Sequence, residues 1–197
     1  MGVMALSDVW PPDRLLTVDD LLDQPDDGNR YELVHGVLDV TPAPRSSHNR
    51  AATRLAIMLG VRCPDHLEVL AGNGVNFARD HHRIPDVMVV HSEWVRRTVF
   101  IEQPPPLAIE VTSRSTRFRD TITKKREYEK FGIRSYWIVD PDYQRPNLTV
   151  FELNRSKYRQ VAQVTGDEAF HATRPFPITI VPDLLVADGN EWKSGLR

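Results

Sequence analysis

Leu107-Ala108-Ile109-Glu110-Val111-Thr112 is the stretch that decides the fold. It is apolar at successive positions rather than alternate ones, the pattern of a strand covered on both faces in the interior of a sheet. Glu110 interrupts it, and a carboxylate there costs several kcal/mol of desolvation unless a cation meets it. A second such run, Pro85-Asp86-Val87-Met88-Val89-Val90, carries its acid at the head, directly after a proline. Asp86 can therefore stay at the sheet's end while the valines enter the core. Two carboxylates on neighbouring buried strands make a site able to hold a hard divalent cation and to activate water against a phosphodiester. A lone acid at a strand end is equally well explained by a structural salt bridge.

Lys124 shifts that balance. The spacing predicts a helix over Arg119 to Phe131, stopped at Gly132, on which Lys124 shares a face with Tyr128 and Phe131 while Lys125, Arg126 and Glu129 fall elsewhere. The apolar face docks on the sheet, so the ammonium is directed toward the ends of the Asp86 and Glu110 strands. There it could orient water or neutralise charge on a phosphorane-like transition state. Its plainer use is a pair with Asp120, four residues earlier, worth a few tenths of a kcal/mol.

Outward from this centre, Tyr31–Val34 and Val37–Val40 flank His35-Gly36 and read as an antiparallel hairpin. Ser47 to Gly60 is an amphipathic helix presenting Ala51, Leu55, Met58 and Leu59, with Ser46 or Ser47 as cap and Gly60 as stop. Leu67–Leu70, Gly74–Phe77 and Tyr136–Asp140 read as further strands, with Tyr136 and Trp137 in the core. Leu148–Leu153, Tyr158–Val164 and Ile178–Val181 read as edge strands. Thr17 opens a short capped helix, accepting from its first free amides. His81-His82 invites a zinc reading, but neighbouring histidines point apart on an extended chain and no cysteine assists, so a flexible loop is the better account. The outline is α+β, a mixed central β-sheet flanked by helices. It forms one domain over 1–197, with an N-terminal helical extension (1–28), a core (29–141) and C-terminal edge strands (142–197).

With 197 residues, 41% hydrophobic and 26% charged, the chain has enough apolar mass for a single core. Its one cysteine, Cys63, excludes an internal disulfide framework and any cysteine-rich zinc module, and reads as a thiol in a reducing compartment. No stretch approaches the roughly 18 uninterrupted apolar residues of a membrane span, and Met1–Trp10 lacks the charged-then-apolar plan of a leader, so a cytoplasmic location with no membrane partner is expected. A net charge of −2 argues against coating nucleic acid by bulk attraction. Contact with DNA must be local, and the basic residues between Arg114 and Arg134 are the candidates, although such runs are commonly solvated helix faces.

Several blocks taken in order resemble one family. Tyr31-Glu-Leu-Val-His-Gly, Pro42-Ala-Pro followed by His48, Ile84-Pro-Asp-Val, Glu110-Val-Thr-Ser-Arg-Ser-Thr, Asp120 with Lys124, Tyr128 and Gly132, and Tyr136-Trp-Ile-Val-Asp-Pro resemble the Uma-two family of endonuclease-like proteins, within the PD-(D/E)XK nuclease-like superfamily. The likeness spans Tyr31 to about Pro141 and implies a restriction-endonuclease-like fold. It implies that Asp86 and Glu110 are metal-binding acids, with the Val111 carbonyl as a further ligand, and that Glu32 is the acid supplied from the N-terminal part. In the superfamily's usual motif a lysine stands two residues after the glutamate. That position is Thr112 here, and the resemblance implies that Lys124 replaces it. Arg114 stands where the family commonly has proline, altering the loop or adding a phosphate contact. His48 could assist the site or cap its helix.

The expected activity is hydrolysis of DNA by a Mg²⁺- or Mn²⁺-dependent endonuclease, since oxygen ligands favour magnesium over zinc. Cutting both strands would favour a homodimer. An alternative is a catalytically idle module of the same shape, its acids closed in salt bridges with Lys124. A two-carboxylate glycosidase is the weakest reading, because it gives Lys124 no work and predicts aromatic sugar platforms that are missing around these acids.

Overall fold

The computed structural model describes residues 14–96, 99–113 and 116–196. Twelve strands occur among them: β1 (Arg30–Val34), β2 (Val37–Thr41), β3 (Leu67–Ala71), β4 (Val75–Ala78), β5 (His81–Arg83), β6 (Val87–His91), β7 (Leu107–Val111), β8 (Ser135–Asp140), β9 (Asn147–Asn154), β10 (Lys157–Thr165), β11 (Phe170–Ala172) and β12 (Ile178–Ile180). The α-helices are α1 (Ser46–Arg62), α2 (Ser92–Val95), α3 (Lys125–Phe131) and α4 (Pro182–Val186). A six-stranded sheet in the order β10-β9-β8-β7-β6-β3 forms the centre, and a four-stranded sheet in the order β2-β1-β5-β4 stands beside it. Only β7 and β8 pair in parallel within the large sheet, which makes it mixed, as the apolar runs predict.

Strand alternation sorts the core into two faces. Val87, Val89, Ile109, Trp137 and Val139 pack with Leu55, Met58 and Leu59 of α1 and with Leu185 of α4, all with side chains essentially removed from solvent. Ala108, Tyr136 and Ile138 point the other way and pack with Tyr128 of α3. Burying one such large side chain is worth about 1.5–3 kcal/mol, so the two clusters hold helices on both sides of the sheet. Arg54, buried within α1, donates to the carbonyls of Leu184 and Leu185 at 3.1 Å, satisfying the end of α4.

Several sequence expectations change in detail. Gly60 does not stop α1, which runs on to Arg62 with open space around the glycine. No serine side chain caps its start; Arg45 holds that position. Thr17 forms a reciprocal capping box with Asp20, its side chain facing the Asp20 N–H while the Asp20 carboxylate accepts the Thr17 N–H at 2.8 Å and hydroxyl at 3.1 Å, and the helix that follows is a single 3-10 turn, Val18–Leu21. β9 lies inside the large sheet, between β8 and β10, and β12 pairs with β11 in a separate small sheet. The hairpin stands: His35 and Gly36 have φ of 51° and 78°, the left-handed pair that a two-residue turn between twisted strands requires. Among the described residues no helix is long and apolar enough to cross a membrane.

The His81-His82 loop is the largest correction. It is a buried strand, β5, in the middle of the small sheet. The two rings do point apart: His81 stacks on Phe77, while His82 places Nδ1 2.6 Å from Asn76 Oδ1 and meets Phe100 edge-on. Gly74 makes room, since a Cβ there would fall 2.0 Å from the His82 ring. Burial, helped by His81 and Arg83, lowers the His82 pKa to about 4 from 6.5. The fold therefore holds this imidazole neutral, and its contribution to stability is present above pH 6.5 and is lost as pH falls toward 4. The loss amounts to about 3 kcal/mol. Acid titration of unfolding free energy is expected to show this slope in the wild type and to lack it in His82→Gln.

Candidate functional site

Register brings the acids together. Val87 faces Ile109 across β6 and β7, and carrying that pairing one residue further sets Asp86 opposite Glu110. Both are almost fully buried, at 3% exposure, and so is Lys124, at 5%. Asp86 Oδ2 accepts the Val111 backbone N–H at 2.8 Å, fixing the acid at the mouth of the strand pair. Glu110 lies on the Ala108 face, toward the helix, where Lys124 Nζ sits 3.1 Å from its Oε1 and the Tyr128 hydroxyl donates to the same oxygen.

The helix carrying Lys124 is not uniform. Arg119–Lys124 is π-helical and passes directly into α3, which closes at Gly132 in the left-handed conformation. Such wide turns recur at functional sites because they redirect side chains at a cost in helix stability. Here Asp120 and Lys124 are both buried beneath the turn, with the Tyr136 hydroxyl donating to the Asp120 carbonyl at 2.8 Å. The partners of Lys124 are Glu110 and Glu32, the latter at 3.0 Å, rather than the Asp120 pairing that helical spacing alone suggests.

Glu32 comes from the small sheet. Leu33 faces His82 across β1 and β5, so one residue further Glu32 meets Arg83; on its other side it faces Asp39 of β2. Asp39, Glu32 and Arg83 thus form a row across three strands. Arg83 donates to Glu32 Oε2 at 3.0 Å and to both oxygens of Glu127 at 2.8 and 2.9 Å, and Arg119 donates to Asp39 at 2.8 Å. Glu32 Oε1 also accepts the Ile84 N–H at 2.8 Å. These pairs clamp the Arg119–Phe131 helix between the two sheets.

Electrostatics distinguish the acids. Burial pushes the Glu110 pKa up to about 8; Lys124 opposes the shift while Asp86, Asp120 and Glu32 reinforce it. Burial likewise raises Asp120. Asp86 is held at about 2 despite its burial, by His48 and Arg30. Glu32 is lowered because Lys124 and Arg83 outweigh its burial. Lys124 is buried too, yet Glu110, Glu32, Asp120 and Asp86 raise its pKa and keep it charged. Glu110 is thus the acid whose burial its cationic neighbour Lys124 does not offset.

Sequence reasoning left His48 between assisting the site and capping a helix; its Nε2 lies 3.0 Å from Asp86 Oδ2. Glu32, a metal ligand by the implication of the resemblance, gives its two oxygens to Arg83, Lys124 and a backbone amide. Among the described residues no three His, Cys, Asp or Glu side chains are grouped to hold a metal. The basic run is divided in use: Arg117 pairs with Asp140, Arg119 with Asp39, and Lys125 lies over the Phe151 ring. Arg114 lies outside the described residues. Three participants went unread in the sequence, Arg83, Glu127 and Arg30, which donates to Asp86 Oδ1, while Tyr128 was read as sharing the face of Lys124 and not as the donor to Glu110. Arg30 stands two residues before Glu32 on one strand and Tyr128 four after Lys124 on one helix, and those spacings were the available signal.

Comparison with known proteins agrees with this fold. A crystal structure described as a putative nuclease belonging to DUF820, from Anabaena variabilis ATCC 29413, superposes with a TM-score of 0.66 over 87% of this chain and 98% of its own. At 19% sequence identity the likeness is one of fold. No curated protein matches. Residues 18–187 match the Uma2 (Uma-two) family, described as "Putative restriction endonuclease". That span takes in both sheets, the π turn and every acid and base of the site, and the chain belongs to the Uma2 family.

Proposed function

We propose that this protein is a divalent-metal-dependent endonuclease that hydrolyses DNA phosphodiester bonds. The observation that carries the reading is the juxtaposition of Asp86 and Glu110 on adjacent strands with the Lys124 ammonium 3.1 Å from Glu110. The family description and the fold of the Anabaena protein support it.

The donor set fits a small hard cation. Mg²⁺ is commonly held by one or two carboxylates, its remaining positions filled by water and substrate phosphate. Asp86 and Glu110 supply two carboxylates, and the burial and neighbouring acids that lift Glu110 are what a cation would offset. Asp86 and Glu110, with the Val111 carbonyl, would hold Mg²⁺ or Mn²⁺, and Glu32 would anchor Lys124 instead of serving as a ligand. The bound ion would supply Lewis-acid polarisation of the phosphodiester and acidify water.

The chain's own groups have separable tasks. Lys124, fixed between Glu110 and Glu32, neutralises charge building on the phosphate without having to reorganise. Arg30 and His48 orient Asp86, and the Tyr128 hydroxyl orients Glu110. Cleavage of supercoiled and linear DNA with Mg²⁺, Mn²⁺ or chelator tests the reading. Metal-dependent cutting is expected in the wild type, with a fall of about 10²-fold or more in Asp86→Ala and in Lys124→Ala. Activity untouched by both substitutions would overturn it.

A second reading, an idle module of nuclease shape, is favoured by one observation: Asp86, Glu110 and Glu32 all already meet cations of the chain itself. Calorimetry with Mn²⁺ separates the two, since the module has no metal site.

A further inference from the structure

Arg30 belongs to two places at once. Its guanidinium donates to Asp86, and it also lines a cleft of about 370 Å³ on the far side, together with Asn29, Gln24, Asn73 and Phe100. The side chain of Arg30 is 28% exposed whereas that of Asp86 is 2% exposed, so a ligand in the cleft reaches the arginine and not the acid. The cleft wall is joined to the acid a second time, through the Gly72 N–H, which donates to the Asp86 carbonyl at 3.2 Å.

The lining has a definite chemistry. A guanidinium recognises phosphate, an aromatic ring stacks on a base of any sequence, and side-chain amides pair with base edges. The volume is at the lower end of the range for small-ligand sites. Gln24 donates its Nε2 to the Asp20 carbonyl at 2.7 Å, and its buried Oε1 has no hydrogen-bond partner among the described residues. Asn73 stands exposed between Gly72 and Gly74, in a loop held close to the cleft floor because Gly74 lies against the His82 ring.

Resting on the nuclease reading, we propose that this cleft receives one unstacked nucleotide of the substrate next to the bond that is cut, its phosphate on Arg30 and its base between Phe100 and the amides of Asn29 and Asn73. The cleft then sets where the chain lies relative to Asp86, and it favours DNA in which a base leaves the stack at low cost, as in single strands, mismatches and ends.

Calorimetric titration in the presence of chelator tests this without cleavage, using dTMP, dAMP, thymidine and inorganic phosphate as probes. A mononucleotide is expected to bind about tenfold or more tightly than either thymidine or phosphate. Phe100→Ala should weaken it about tenfold, the usual worth of one stacked base. Asn73→Ala, at an exposed position that does not threaten folding, should weaken it several-fold. Phosphate binding as tightly as the nucleotides, or nucleotide binding indifferent to both substitutions, overturns the proposal. Cleavage of DNA by a protein that binds no mononucleotide removes the cleft and leaves the nuclease; nucleotide binding without cleavage under any metal does the reverse.

Discussion

Glu110→Gln is expected to abolish metal-dependent cleavage, by on the order of 10³-fold, while making the metal-free protein more stable at alkaline pH. The two effects share one cause. Glu110 is buried among Asp86, Asp120 and Glu32, and its pKa in the fold is raised to about 8 from 4.5. A group whose pKa is raised by folding stabilises the fold fully below its unfolded value, and that stability is lost as pH rises through the folded value. Between pH 4.5 and 8 the wild type therefore loses about 3–5 kcal/mol that glutamine, always neutral, retains. Denaturant unfolding of both proteins at pH 5 and pH 9 in chelator checks the prediction. The stability difference should be near zero at the lower pH and favour the variant at the higher. A variant less stable at pH 9 would mean that Glu110 serves the metal-free fold as the ionised partner of Lys124.

Arg83→Met should do the opposite, destabilising the fold at neutral pH by about 3–5 kcal/mol, which for a chain of this size lowers the melting temperature by roughly 10 °C. Arg83 is 1% exposed and holds Glu32 and Glu127 at once. Its loss takes a guanidinium from two carboxylates in a place water reaches poorly, and breaking one side of a buried pair is costly for that reason. Because Glu32 also grips Lys124, cleavage by the folded fraction should fall as well. Thermal melts of Arg83→Met beside Arg83→Lys separate charge from shape: lysine restores one contact to Glu32 but cannot reproduce the paired donation to Glu127. Equal stability of all three proteins would remove the claim that this arginine joins the small sheet to the helix.

The acids on strands were legible because an unbroken apolar run is a local pattern. Glu110 stands out in a run of apolar residues, and Asp86 follows a proline at a strand head, whatever the rest of the chain does. Lys124 was legible from its helical spacing to Tyr128 even though the turn proved π-helical, since both geometries leave it on the buried side. The His81-Arg83 segment was not. Three residues with two histidines and an arginine look like a solvated loop, and only their pairing with β1 and β4 gives the polar groups partners enough to be buried.

The sequence by itself determined the alternation of apolar runs, the hairpin at His35-Gly36 and the acids and base that the family blocks share, because each depends on neighbours within a few residues. The tertiary structure alone decided which cation each buried acid meets. Arg30 reaches Asp86 across 56 positions by the docking of one sheet beside another, and Arg83 reaches Glu32 across 51 by the pairing of β1 with β5. A buried carboxylate must be neutralised, but desolvation acts on any nearby charge of the right sign, so the demand is written in the local sequence and the choice of partner is not.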